Sequence, residues 1–214
     1  MKRVLAAALA AAAVVALSAC TAVPEGPGAA AVSLGGDVPD KPESGGVVYL
    51  VRGGLNVFST GMDEVAAKLK AKGIDAKSVP YADWENVDIV LRQRYAAEHL
   101  PIVLVGHSFG ADAEIVMGVD LRRSNIPIAL MVLYDVTNSV KVPGNVRHVI
   151  YIASSTVKNT GITVTGETDF TGDIEKIEVP EGHLDMDNAP RIQDATIDAI
   201  LKVIKPTTTA AVSQ

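Results

Sequence analysis

Three runs of the chain, residues 47–51 (VVYLV), 101–106 (PIVLVG) and 126–134 (IPIALMVLY), are almost uninterruptedly apolar and rich in β-branched side chains. A strand with one wet face alternates apolar and polar residues. A strand without polar positions has both faces covered, which is the condition of a parallel sheet sandwiched between helices. Shorter strand candidates follow at residues 76–79, 146–152 and 173–179. Between them the spacing becomes helical. Met62, Val65, Ala66 and Leu69 fall at i, i+3, i+4 and i+7, with Ser59 and Thr60 ahead as cap candidates and Gly73 behind. Trp84, Val87, Leu91 and Tyr95 make a second stripe that stops before Pro101. A third helix is expected from Phe109 to about Arg123 and a fourth from Pro190 to Ile204. Such alternation predicts an α/β fold: a doubly wound, mostly parallel sheet with flanking helices and with ligands at the carboxyl ends of the strands.

The predicted folded body is residues 46–205 of the 214. Residues 1–19 open on Lys2 and Arg3, continue as a short Ala-rich apolar run and end in small residues, the form of an export signal. Leu17-Ser18-Ala19-Cys20 resembles a bacterial lipobox, which makes Cys20 the expected site of lipidation and of membrane attachment. The chain is therefore expected to be exported and lipid-anchored in a bacterial envelope, facing the periplasm or the exterior. Residues 20–45, with four Pro and five Gly after Cys20, are expected to form a flexible linker, and residues 206–214 a disordered tail. Cys20 is the only cysteine, so no internal disulfide can form. With 25 acidic against 19 basic residues and no Lys/Arg cluster, the net charge of −6 argues against a nucleic-acid partner.

One constellation carries chemistry. Gly106-His107-Ser108-Phe109-Gly110 follows a buried strand directly and opens a helix, the setting that turns Gly-x-Ser-x-Gly into a sharp elbow lifting Ser108 above the sheet. A serine hydroxyl needs a base, and His183 in Val179-Pro180-Glu181-Gly182-His183 meets the chain order Ser, acid, His. His107 is expected to point away from Ser108, His99 sits at a helix end, and His148 is inside a strand. The acid is Asp135, which terminates the third apolar run, or Asp169 in the following Gly/Thr-rich stretch. Asp135 is favoured because residues 154–172 read as mobile and a triad acid must be held still. Oxyanion donors are expected from the N–H of Phe109 and from that of Gly54 or Leu55 in the loop Arg52-Gly53-Gly54-Leu55-Asn56.

Through VVYLVRGG, IVLVGHSFGAD, VLYDVTNSV and VPEGHLD the body resembles the α/β-hydrolase superfamily, as a small, lidless, exported lipoprotein esterase or thioesterase-like member. Arg52-Gly53 stands where that superfamily usually has His-Gly, and the favoured acid lies one strand early. The resemblance implies a serine hydrolase that acts on a small acyl substrate through an acyl-enzyme and uses no cofactor or metal. Two other readings compete: a non-catalytic binding lipoprotein that keeps the fold, and a metal-dependent hydrolase using His183, Asp185 and Asp187.

Overall fold

A computed structural model describes residues 45–54, 59–156 and 161–204. The expected signal (1–19), Cys20, all but the last residue of the expected linker (20–45), Leu55 and the expected tail (206–214) lie outside them. The elements follow as β1 (Val47–Arg52), α1 (Gly61–Ala71), β2 (Asp75–Pro80), α2 (Trp84–Glu98), β3 (Ile102–His107), α3 (Phe109–Arg123), β4 (Leu130–Tyr134), β5 (Val140–Val142), β6 (His148–Ser154), β7 (Val164–Gly166), β8 (Asp173–Val179) and α4 (Pro190–Val203). Short 3-10 turns, Tyr81–Asp83 and Met186–Asn188, precede α2 and α4.

The main sheet has the order β2-β1-β3-β4-β6-β8, and every neighbouring pair is parallel. Alternation along β1 divides the interior into two cores. Val48 and Leu50 join Met62, Val65 and Leu69 of α1 and Ile192, Ile197 and Ile200 of α4 on one face. Val47, Tyr49 and Val51 join Val87 and Leu91 of α2 and Ala111, Met117 and Leu121 of α3 on the other. Burial on both faces is the reason β1, β3 and β4 show no apolar/polar alternation, whereas the edge strands β2 and β8 keep exposed Lys77, Glu175, Lys176 and Glu178; each buried aliphatic side chain contributes about 1.5–3 kcal/mol. Because β2 and β3 flank β1 on opposite sides, the chain reverses its winding there. This is the kind of crevice at which doubly wound sheets bind ligands.

Several expectations are corrected. The third apolar run pairs as a strand only from Leu130. Before it, the Ile126 N–H bonds Leu121 O as the chain leaves α3, and Ile128 makes an isolated bridge to Val146. Residues 126–128 are apolar because their side chains mostly face the interior, not because they join the ladder. The stretch after β4 contains β5, and residues 154–172, expected to be mobile, contain β7, paired with β5 in parallel. Ile162, Val164 and Phe170 pack on the α2/α3 core, and Asp169 and Glu167 both pair with Arg122. Strands of three residues are too short to show period-two alternation. At the start of α1 Thr60 stands at the N-cap position, but neither its side chain nor that of Ser59 bonds a helix N–H. The Gly61 N–H donates instead to Asp187 Oδ2 at 3.0 Å, an acceptor brought by tertiary structure to a free helix terminus.

The folded body closes on itself at the amino ends of the strands. Gly46, just before β1, lies against Ile204, just after α4: a Cβ on Gly46 would stand 2.7 Å from Ile204 Cγ1 and 2.9 Å from Pro101 O. Among the described residues no helix is long and apolar enough to cross a membrane.

Candidate active site

At the opposite edge, the carboxyl ends of β1, β3, β4, β6 and β8 gather the chemistry-bearing side chains. Ser108 occupies the one-residue turn between β3 and α3, with φ 57° and ψ −124°. That backbone is held from both sides. A Cβ on Gly106 would stand 2.6 Å from Ala111 N, and one on Gly110 would strike the carbonyl of Val51 at the end of β1. The two glycines therefore let α3 start directly over the sheet, and the Ser108 N–H is fixed by Tyr134 O at 2.9 Å.

His183 bridges two partners. Its Nε2 lies 3.1 Å from Ser108 Oγ and its Nδ1 lies 2.7 Å from Asp135 Oδ2. Asp135 follows β4 in a left-handed conformation (φ 45°), buried, and its Oδ1 accepts the Ser154 N–H at 3.1 Å from the end of β6. Burial acts to raise the carboxyl pKa, but the bonds from His183 and Ser154, with the nearby imidazoles, outweigh it and hold Asp135 below the ordinary carboxylate range. The loop beyond is pinned by Asp112 in the first turn of α3, which accepts the Thr137 N–H at 3.2 Å and Asn138 Nδ2 at 3.1 Å. Asp169 does not reach His183; its carboxylate pairs with Arg122 Nη1 at 3.0 Å.

The Phe109 N–H, at the first position of α3, and the Gly54 N–H meet no acceptor among the described residues, whereas the Gly53 N–H donates to Ser59 Oγ at 3.0 Å. Gly54 lies under the Phe109 ring, where a Cβ would stand 2.7 Å from Cδ2. Arg52 turns away to Asp63 at 3.3 Å. Gly54, Ser59, His107, Ser108, Phe109, His183 and Leu184 line a cleft of about 230 Å³, with Phe109 and Leu184 about half exposed at its rim. Tyr81 extends the rim, its ring 5.8 Å from that of Phe109.

His107 is a participant that its position in the sequence did not single out. It is buried and makes no hydrogen bond with Ser108. Its Nδ1 lies 2.7 Å from Ser59 Oγ and its Nε2 lies 2.8 Å from the carbonyl of His183. The sequence offers Ser59 only as a helix-cap candidate, and nothing in a single chain pairs it with His107. Of the alternative metal ligands, Asp187 is committed to the start of α1 and His183 to Ser108 and Asp135. Among the described residues no three His, Cys, Asp or Glu side chains converge to hold an ion.

A parallel six-stranded sheet flanked by helices on both faces, with the reversal of winding at β1 and a serine on the turn after β3, is the α/β-hydrolase fold. Three solved structures share it. Human thioesterase 2 superposes with a TM-score of 0.54 at 12% identity, covering 73% of this chain and 95% of that one. The NocB thioesterase domain, solved as a covalent complex with a fluorophosphonate nocardicin G analogue, gives 0.52 at 14% identity over 75% and 95%. The RedJ thioesterase of the prodiginine biosynthetic pathway in Streptomyces coelicolor gives 0.51 at 10% identity over 78% and 94%. At these identities the likeness is one of fold. No family model and no curated protein matches the sequence.

Proposed function

We propose that this protein is a serine hydrolase that cleaves small carboxylic esters or thioesters through an acyl-enzyme on Ser108. The observation that carries the reading is the single imidazole, His183, within hydrogen-bond reach of both Ser108 Oγ (3.1 Å) and the buried Asp135 carboxylate (2.7 Å). Asp135 accepts the Nδ1–H, which leaves the Nε2 lone pair facing the hydroxyl. As Ser108 Oγ attacks the acyl carbon, its proton passes to His183 Nε2, and the imidazolium is stabilised by Asp135 without transfer to it. The tetrahedral oxyanion faces the free N–H of Phe109, with Gly54 or Leu55 as second donor. Collapse expels the alcohol or thiol, which takes the proton from Nε2. Water then repeats the sequence and releases the acid.

The thioesterases among the structural neighbours put thioesters beside oxygen esters as substrates to assay. A cleft of about 230 Å³ with an apolar rim suits a short acyl group. The reading extends to location on the sequence alone: residues 1–19 as export signal and Cys20 as lipid anchor. Cys20→Ser is expected to release the protein from membranes or to leave it unprocessed, and unchanged fractionation excludes the anchor.

The test is an active-site-directed fluorophosphonate, with the labelled peptide identified by mass spectrometry. Labelling at Ser108, lost in Ser108→Ala and insensitive to chelator, is expected. A binding module gives no labelling and no turnover, and a metalloenzyme gives turnover abolished by chelator without labelling.

A further inference from the structure

His183 O is a carbonyl and can only accept, so the atom 2.8 Å from it, His107 Nε2, carries a proton. The ring is also held neutral. Burial and the adjacent His183 lower its pKa to about 4, although the His183 carbonyl and Asp135 favour the charged form. A neutral ring protonated at Nε2 has a bare Nδ1, so Ser59, 2.7 Å away, must donate its hydroxyl hydrogen there. The Ser59 oxygen is then open to the Gly53 N–H at 3.0 Å. The polarity of the whole chain follows: Gly53 N–H to Ser59, Ser59 O–H to His107 Nδ1, and His107 Nε2–H to the His183 carbonyl. His107 and His183 also lie ring against ring, with centroids 4.9 Å apart.

We infer that His107 is a positioning residue, a neutral strut that ties the backbone of the base His183 to the Gly53–Ser59 loop and so sets together the reach of His183 to Ser108 and the placement of the backbone facing the oxyanion. Its ends are the two parts of the site that arrive on loops: Gly53 and Ser59 lie between β1 and α1, and His183 lies between β8 and α4. Side-chain bonds from Ser59 and His107 join these loops across 48 and 76 residues of chain. A group buried this completely has no water to replace a lost partner. Ser59 keeps the Gly53 N–H when the Nδ1 link is cut, whereas the His183 carbonyl has no other partner among the described residues, so it is the Nε2 link whose loss frees the base.

The inference rests on the hydrolase reading, and two amide substitutions test it. In His107→Gln the amide nitrogen can occupy the place of Nε2 and keep the bond to the His183 carbonyl. In His107→Asn the amide oxygen can replace Nδ1 as acceptor for Ser59, while the link to His183 is lost. His107→Asn is expected to lower kcat about tenfold to a hundredfold, as a misplaced base does, with KM changed by less than about threefold. His107→Gln is expected to recover most of that loss, at a similar Tm. Nitrogen-15 NMR of the wild-type protein is expected to show His107 protonated at Nε2 alone at pH 7. Equal kcat in the two variants, whether both wild-type or both reduced in step with Tm, overturns the positioning role, and so does a ring protonated at Nδ1. Absence of wild-type labelling at Ser108 overturns the hydrolase reading and this inference with it. Normal labelling with equal kcat overturns this inference alone.

Discussion

Asp135 accepts His183 Nδ1 at 2.7 Å from a backbone that is itself left-handed, and its second oxygen is taken up by the Ser154 N–H. A carboxylate fixed at both oxygens can hold an imidazole in one orientation and one tautomer. Asp135→Asn is therefore expected to fold and to lose about 10⁴-fold in kcat, because the amide can present a donor where Nδ1–H needs an acceptor. Asp169→Asn, which only loosens a partly exposed pair with Arg122, is expected to leave kcat unchanged and to cost at most about 1 kcal/mol. Steady-state kinetics of the two variants decide between them, and the opposite ranking removes Asp135 from the mechanism.

Ser108 holds φ 57° with a side chain attached. Ser108→Ala keeps the Cβ and the strain, whereas Ser108→Gly removes both. Both variants are expected to be inactive, and the glycine variant to be more stable than the alanine variant by about 1 kcal/mol. Denaturant unfolding measures the difference, and an alanine variant as stable as the glycine one means that the elbow stores no strain.

Asp187 is buried at the start of α1, and burial pushes its pKa up to about 6 despite the Gly61 N–H it accepts. Unfolded, it titrates near 3.8. Between these values the folded state binds the proton and the unfolded state does not, so this contribution to stability is present below 3.8 and is lost as pH rises through about 6. The loss is about 3 kcal/mol. His107 acts in the opposite sense: its folded pKa is lowered to about 4 from 6.5, so its contribution is full above 6.5 and lost as pH falls towards 4. Asp187→Asn copies the protonated acid and isolates the first effect. It is expected to raise Tm by about 5 to 10 °C at pH 8 and to change it little at pH 4. Equal shifts at both pH values contradict the assignment.

Glu114 lies fully buried in α3, with no hydrogen-bond partner for either oxygen among the described residues, and burial raises its pKa well above the ordinary value. Glu114→Met, similar in volume and apolar, is expected to stabilise the fold by about 1–3 kcal/mol at pH 8. Chemical denaturation at that pH measures it; destabilisation instead would reveal a polar role for the carboxyl.

Phe109 and Leu184 form the exposed apolar rim of the cleft, and β5 and β7 are three residues each, too short to make a cap over it. Hydrolysis is expected to follow simple saturation across an acyl chain-length series, with no acceleration when the substrate aggregates. Leu184→Ala is expected to raise KM for the longer chains while leaving kcat within about twofold, since rim contacts bind ground and transition states alike. A rate jump at the aggregation point would require a lid.

Long apolar runs and helical stripes were legible in the sequence because they report burial, which acts locally and repeats with the period of the element. The Phe109–Arg123 helix and the Asp173–Val179 strand stand where the spacing puts them. What was not legible came from partners distant along the chain. The acceptor for the Gly61 N–H is Asp187, the anchor of residues 162–170 is the core and Arg122, and Ser59 serves His107 rather than the helix it precedes. In the site, Ser108, His183 and Asp135 could be nominated by residue type and order, and the structure brings them together. His107 could not be, because its contribution is a pair of hydrogen bonds to groups 48 and 76 residues away.

The meeting of Gly46 with Ile204 at the amino ends of the strands fixes a polarity for the described body. Gly46 and Ile204 lie at one pole of it, and the Ser108 cleft opens at the other. The same closeness means that a body trimmed to residues 46–204 could have Gly46 and Ile204 joined by a short linker and new ends cut in a loop elsewhere, giving a circular permutant with the cleft undisturbed.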